Sequence, residues 1–229
     1  MKPRLASLIL AALAALVSAT RAQVIIPDPS LPVVYPNGEY RTPAQVHAEY
    51  APLGNQVILT NIEHLAFDTP PVNRFPVGPD EHEMFSSGMF GMVSVNGSPY
   101  QNASGNGPVE TVVFGKVGNT TGTFQTEMLS MSLTGTSPFG PFMIRESPTL
   151  ASTGQTTITD LGGGLYRIDS FFDVFTELSI DNGINWFPDT QGPARVNLGP
   201  VPEPSVWALA GLGAGLLALR RAQWLRKRS

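Results

Sequence analysis

Short stretches rich in Val, Thr and Phe fill most of this chain, and Gly, Asn, Ser and Pro stand between them. That alternation of β-favouring runs with turn formers predicts strands over Gln56–Phe67, Glu83–Val95, Val109–Val117, Gly122–Leu133, Phe142–Glu146, Gln155–Thr159, Leu165–Thr176 and Arg195–Leu198. Asp160-Leu161-Gly162-Gly163-Gly164 and Gly118-Asn119-Thr120-Thr121-Gly122 read as hairpin connections. Asn96 to Pro108, rich in Asn, Ser and Gly, reads as the longest loop. Only the two ends carry long unbroken apolar runs, Leu5–Val17 and Val206–Leu219.

One stretch predicts a helix. Thr42-Pro43-Ala44-Gln45 offers a Thr cap, Pro at the first helical position and Gln at the third, and the helix would run to about Tyr50, with Gly54 beyond its end. Before it, residues 23–41 hold Pro27, Pro29, Pro32 and Pro36, an extended lead-in that is ordered only where it docks. There is no βα alternation and no internal repeat. The expectation is a mainly β body, either an antiparallel β-sandwich or a partly open barrel with one short helix, followed by a C-terminal single hydrophobic helix.

The two ends carry export chemistry. Lys2 and Arg4 precede the apolar run Leu5–Val17, and Thr20-Arg21-Ala22 supplies small residues at −3 and −1 of a cut before Gln23. Residues 1–22 therefore read as a signal peptide, a substrate of signal peptidase. At the other end, Val201-Pro202-Glu203-Pro204 precedes the 14 apolar positions Val206–Leu219, and Arg220, Arg221, Arg226, Lys227 and Arg228 close the chain. A full span needs about 20 apolar residues, so this core is short. Trp207 and Trp224 stand where interfacial aromatics belong, and the cations are expected to stay on the cytoplasmic side.

This tail looks like the PEP-CTERM sorting signal, whose pattern is Pro-Glu-Pro, a hydrophobic helix and an Arg-rich end. The resemblance covers residues 201–229. It implies recognition by an exosortase, an integral-membrane processing enzyme, and export in a Gram-negative bacterium that makes exopolysaccharide. The organisation expected is a signal peptide (1–22), the lead-in (23–41), a β domain (42–200) and the sorting tail (201–229). The precursor would be membrane-anchored and the product placed at the cell surface or outside the cell.

Charge sharpens the picture once both ends are set aside. Six of the 14 Lys and Arg lie in 23–203, with all 18 acids, a balance of −12. Such a body is not expected to bind nucleic acid, whose phosphates demand cations. It would also repel anionic polysaccharide unless Ca²⁺ bridged the two. The chain has no cysteine, which excludes thiolate catalysis and thiolate metal sites.

Candidate chemistry in the body is sparse. Ser179-Ile180-Asp181-Asn182-Gly183-Ile184-Asn185-Trp186 resembles the Asp-box of sialidase propellers, with Asn185 where Thr is usual. Its Ser179, Asp181, Gly183 and Trp186 would form a structural turn, in which the carboxylate caps backbone N–H groups and Gly takes positive φ. Asp80-Glu81-His82-Glu83 gathers acids around an imidazole but lacks a second histidine at ligand spacing, and no metal site or cofactor is assigned. Nucleophile-elbow, zinc-protease and phosphate-loop motifs are missing, so no catalytic residue is assigned and the chain is not expected to be an enzyme. Tyr35, Tyr40, Tyr50, Tyr100, Tyr166, Trp186 and Phe187 could stack on sugars or pack the core. The expected function is a surface or matrix-associated protein connected with extracellular polysaccharide. The alternatives are a glycan-acting enzyme and a calcium-dependent carbohydrate-binding module.

The tail carries its own test. Glu203→Ala keeps the apolar run and the basic end but removes the charge of the motif. In a host with an exosortase, and with an epitope after Ser229, wild type should lose the epitope while Glu203→Ala retains it at the inner membrane. Equal retention in both would leave a permanent anchor.

Overall fold

The structure, a computed structural model, describes residues 23–201. Residues 1–22, expected to be a signal peptide, and Pro202-Glu203-Pro204, the apolar run expected to be a helix and the basic end lie outside the described residues. Fourteen strands are present: β1 (Val24–Ile26), β2 (Glu39–Arg41), β3 (His47–Tyr50), β4 (Val57–Phe67), β5 (Asn73–Val77), β6 (Asp80–Val95), β7 (Gln101–Val113), β8 (Gly122–Ser137), β9 (Gly140–Glu146), β10 (Ser152–Gly162), β11 (Leu165–Val174), β12 (Thr176–Ser179), β13 (Phe187–Pro188) and β14 (Ala194–Gly199).

Every pairing between them is antiparallel, and the sheet closes on itself. β10 bonds β8 on one side and β11 on the other, and the ring continues through β14, β2, β4, β6 and β7 back to β8. The result is an eight-stranded up-and-down barrel: the mainly β, antiparallel expectation holds, and the form present is a barrel, closed rather than partly open, in place of a sandwich. Several neighbours in sequence share one stave. β9 pairs the later half of β8 and β10 the earlier half. β11 and β12 continue one another across Phe175, and β2 and β3 share the edge of β4. Between β13 and β14 the ring is carried by Thr190 N–H donating to Glu49 O (2.8 Å) and Glu49 N–H donating to Asp189 Oδ1 (3.0 Å). Closure leaves the staves no free edge, which removes a liability to edge-to-edge pairing.

Period-2 alternation decides what faces inward. Ile168, Ser170, Phe172 and Val174 of β11, and Ala194, Val196 and Leu198 of β14, are buried, with intermediate or exposed positions between them. An eight-stranded barrel is just wide enough for side chains to fill. Here Met89, Met131, Leu133, Phe142, Ile144 and Leu178 pack its axis.

The expected helix is absent; among the described residues the one helical element is a 3-10 turn at Pro52–Gly54. His47–Tyr50 is a strand instead, with Ala48 and Tyr50 in the core and Tyr50 Oη 2.7 Å from Thr176 Oγ1. Thr42 does not cap a helix. Its N–H donates to Ile62 O (2.9 Å) and its Oγ1 accepts from Ile62 N–H (3.0 Å), so its bonds are spent across the barrel wall. The long loop expected over Asn96–Pro108 is also corrected. The turn covers only the residues around Asn96 and Gly97, both at positive φ, and β7 begins at Gln101. The Asn/Ser/Gly composition that reads as a loop lies on a strand paired along both edges.

The lead-in is part of the fold. β1 pairs β11, and Leu31 and Val33 are buried across one end of the barrel, called the lower end here. Arg74 Nε donates to Leu31 O and fastens it there. Gln23 and Val201 both lie at this lower end, while the 137–140 and 180–186 turns lie at the upper end. Residues 24–199 complete the barrel and its lower plug, so 23–201 is expected to fold by itself.

Gly107 tests the wall. A Cβ there would stand 1.9 Å from Ser132 O on the neighbouring strand β8. Gly107→Ala should cost about 3 kcal/mol, because backbone on two paired strands must move apart. Urea unfolding of 23–201 measures it, and a loss under about 0.5 kcal/mol would contradict the close approach.

Candidate functional site

Three regions concentrate polar or aromatic chemistry: the interior around Glu83, the turn 179–186, and a broad trough on the outer face.

β6 alternates through Asp80-Glu81-His82-Glu83, and the strand period splits that run between the two faces. Asp80 Oδ1 accepts from Gly115 N–H (2.7 Å). His82 stacks on Phe75 (5.3 Å) and its Nδ1 lies 3.0 Å from Glu110 Oε1. Glu83 alone enters the barrel, 2% exposed. Thr111 Oγ1 donates to its Oε2 (3.0 Å), while Oε1 and the nearby Thr126 Oγ1 have no protein partner. These groups face a cavity of about 40 Å³, counted as room for water centres, walled off below by Leu31 and Pro32. At roughly 10–15 Å³ per water, it admits about three or four waters and no sugar. Burial pushes the Glu83 carboxyl up to about 8, against a weaker downward pull from the Thr111 hydroxyl. The acid is therefore neutral at pH 7. Burial also lowers His64, which lines the same cavity, to about 4. Beside them Tyr40 Oη donates to Ser170 Oγ (3.0 Å), which lies 2.7 Å from Thr156 Oγ1.

Ser179, Asp181, Gly183 and Trp186 come together in one turn. Asp181 Oδ1 accepts from Asn185 N–H (2.9 Å) and from Ser179 Oγ (2.8 Å). Gly183 sits at φ 82°, and Trp186 Nε1 donates to its carbonyl (3.1 Å). The bond from Asn185 N–H holds the Asp181 carboxyl below its ordinary range. Asn185, which replaces the usual Thr, adds Nδ2 to Asp181 Oδ2 (2.6 Å). The Arg145 guanidinium lies 4.1 Å over the Trp186 ring and pairs with Glu177, which ties the turn to β9 and β12. With both oxygens of Asp181 engaged locally, the turn is an architectural element.

The outer trough was not legible in the sequence. Cross-strand register aligns Glu63, Phe90, Ser104, Thr136 and Pro141 in one row over β4, β6, β7, β8 and β9. The adjacent row is Leu65, Gly88, Asn106, Thr134 and Met143. Two contiguous depressions of about 580 and 280 Å³ share Phe90, Ser104 and Thr136. Phe90 is 44% exposed at their centre. Asn102, Ser104, Asn106, Thr134 and Thr136 surround it, and among the described residues their side chains make no hydrogen bond. Phe67 closes one end, with Tyr35 edge-on to it at 6.5 Å. The one ionisable group in the trough, Glu63, is paired with Arg41 (3.1 Å).

Of the aromatic residues singled out from sequence, Tyr40 and Tyr50 are core and Tyr35 and Tyr100 are exposed. They form no common platform; Phe90 and Phe67 take that place. Asn102-Ala103-Ser104, within the stretch expected to be a loop, lies on β7 with Asn102 and Ser104 in the trough and Ala103 in the core. Among the described residues, no three His, Asp or Glu side chains are grouped to hold a metal ion. Comparison with protein-family models, with curated proteins and with solved structures finds no match for this chain.

Glu83 gives a signed pH effect. Its folded value of about 8 lies above the ordinary 4.5, so its stabilising contribution is complete below pH 4.5 and is lost as pH rises through 8. His64 acts in the opposite sense, but only between about 4 and 6.5. From pH 6.5 to 8 the Glu83 slope should therefore stand alone, a loss of about 2 kcal/mol. Urea midpoints should fall over that window in wild type and stay level in Glu83→Gln. A level wild-type curve would refute the buried neutral acid.

Proposed function

We propose that this is an exported surface or matrix-associated protein that holds a neutral polysaccharide chain on the outer face of β4, β6, β7 and β8. The observation that carries the reading is the trough: an aromatic ring set among amides and hydroxyls, with a single carboxylate, Glu63, held in an ion pair, on a body of net charge −12. The C–H face of a sugar ring packs against an aromatic face, and ring hydroxyls exchange hydrogen bonds with Asn, Ser and Thr. A shallow, open trough suits a long chain that passes through, rather than a small molecule enclosed on all sides. Neutral lining also avoids the repulsion that the acidic body imposes on an anionic polymer.

Hydrolysis is less well supported. The usual glycosidase route needs two carboxylates flanking the bond. The trough holds one, Glu63, ion-paired with Arg41, which Glu39 also shares. A calcium-dependent module would need clustered carboxylate and carbonyl oxygens, and the trough offers amides and hydroxyls instead.

In the same reading, the signal peptide and the PEP-CTERM tail deliver the barrel across the inner membrane, with signal peptidase and an exosortase as processing partners. Gln23 precedes β1 and Val201 follows β14, strands that both pair β11, so the described chain enters and leaves at the lower half of the barrel.

Affinity electrophoresis of 23–201 through gels cast with neutral glucans, mannans or galactans tests this. At least one neutral polymer should retard the protein, and Phe90→Ala should weaken the retardation about tenfold, ~1.4 kcal/mol. Ile184→Ala, on the exposed 179–186 turn, should behave as wild type. Retardation only by anionic polymers in the presence of Ca²⁺ would overturn the reading in favour of a calcium-dependent module.

A further inference from the structure

The two mouths of the barrel are finished differently. At the lower mouth the chain supplies its own plug, Leu31 and Val33, and the space behind it is about 40 Å³. At the upper mouth the inward side chains of Val57, Leu59, Val93, Phe142 and Leu178 line an open pocket of about 270 Å³. Among the described residues no segment crosses it. Phe139 and Ile180, 46% and 38% exposed, stand at its lip. An engineered apolar cavity of roughly 150 Å³ already takes benzene, so this one is large enough for a small molecule. Barrel mouths are recurrent sites for such ligands.

The lining also says what kind of molecule. No ionisable side chain is present. Its polar members are engaged already: Asn55 Oδ1 accepts from Asn96 Nδ2 (2.9 Å) and Ser137 Oγ donates to Gly140 O (3.2 Å). A charged ligand would lose its hydration and gain no partner. An apolar one would cover surface that the fold leaves wet, as Leu31 and Val33 do at the other end.

We infer that the upper mouth binds a neutral, mainly apolar small molecule. The site lies inside the barrel and is independent of the polysaccharide reading. It lies at the opposite end from Val201.

The probe is the neutral dye N-phenyl-1-naphthylamine, titrated into 23–201 and followed by its emission. Wild type should show a saturable rise. Val95→Trp, which places an indole in the pocket, should abolish it, and Phe90→Ala on the outer face should leave it unchanged. Val95→Trp can fail by misfolding, so Ile180→Asp at the exposed lip provides a second arm, with binding about tenfold weaker and an unchanged circular-dichroism melt. Wild-type affinity in a folded Ile180→Asp would overturn the inference, as would the lack of a saturable phase in wild type. Sedimentation that finds the mouth occluded by a second copy of the chain would overturn it too.

Discussion

The rest of this molecule depends on β10 pairing with β8 along one edge and with β11 along the other. That double pairing turns a meander into a closed barrel. Without it Thr156, Ser170 and Tyr40 would face water and their shared hydrogen bonds would have no enclosed setting. Closure also fixes the register, because a one-residue slip would turn every inward side chain outward. Glycines make the tight wall possible: a Cβ at Gly154 would stand 2.1 Å from Phe171 O, directly across the β10–β11 pair.

A closed eight-stave barrel has limited room, and this chain uses it unevenly. The middle is filled by Met89, Met131 and Ile144, which leave about 20 Å³. The lower part holds polar groups, with Glu83 kept neutral by burial and sealed under the lead-in. The upper part stays open and apolar. The wall outside is equally uneven, since acids are spread over the body but the face around Phe90 carries amides and hydroxyls. The interior acid lacks the space for a substrate, and the outer face has space but no carboxylate pair.

Much of the sheet was readable from sequence because strand-forming residues and turn formers alternate. Gln56–Phe67, Glu83–Val95 and Leu165–Thr176 correspond closely to β4, to most of β6 and to β11 with the start of β12. The failures are local signals overridden by closure. Thr42-Pro43-Ala44-Gln45 has the chemistry of a helix start, yet the barrel needs a stave there and Ala48 and Tyr50 fill the core. Residues 101–108 have loop composition, yet β6 and β8 supply partners on both sides. The trough was illegible for a related reason: Phe90, Ser104 and Thr136 are far apart in sequence, and only cross-strand register makes them neighbours. Ser179–Trp186 was readable because its bonds are all local. Neither the lower plug nor the open upper mouth has a signature that composition or spacing reveals.

The proposal at the centre of this account is an exported barrel that holds a neutral glycan on the face around Phe90. The most direct measurement is an NMR titration of ¹⁵N-labelled 23–201 with a neutral oligosaccharide of the polymer that retards it. The account predicts saturable shifts concentrated at the amides of Gly88, Phe90, Ser104, Asn106 and Thr136, with the upper-mouth and Glu83 regions unmoved. Shifts centred elsewhere, or spread evenly over the acidic surface, would contradict it.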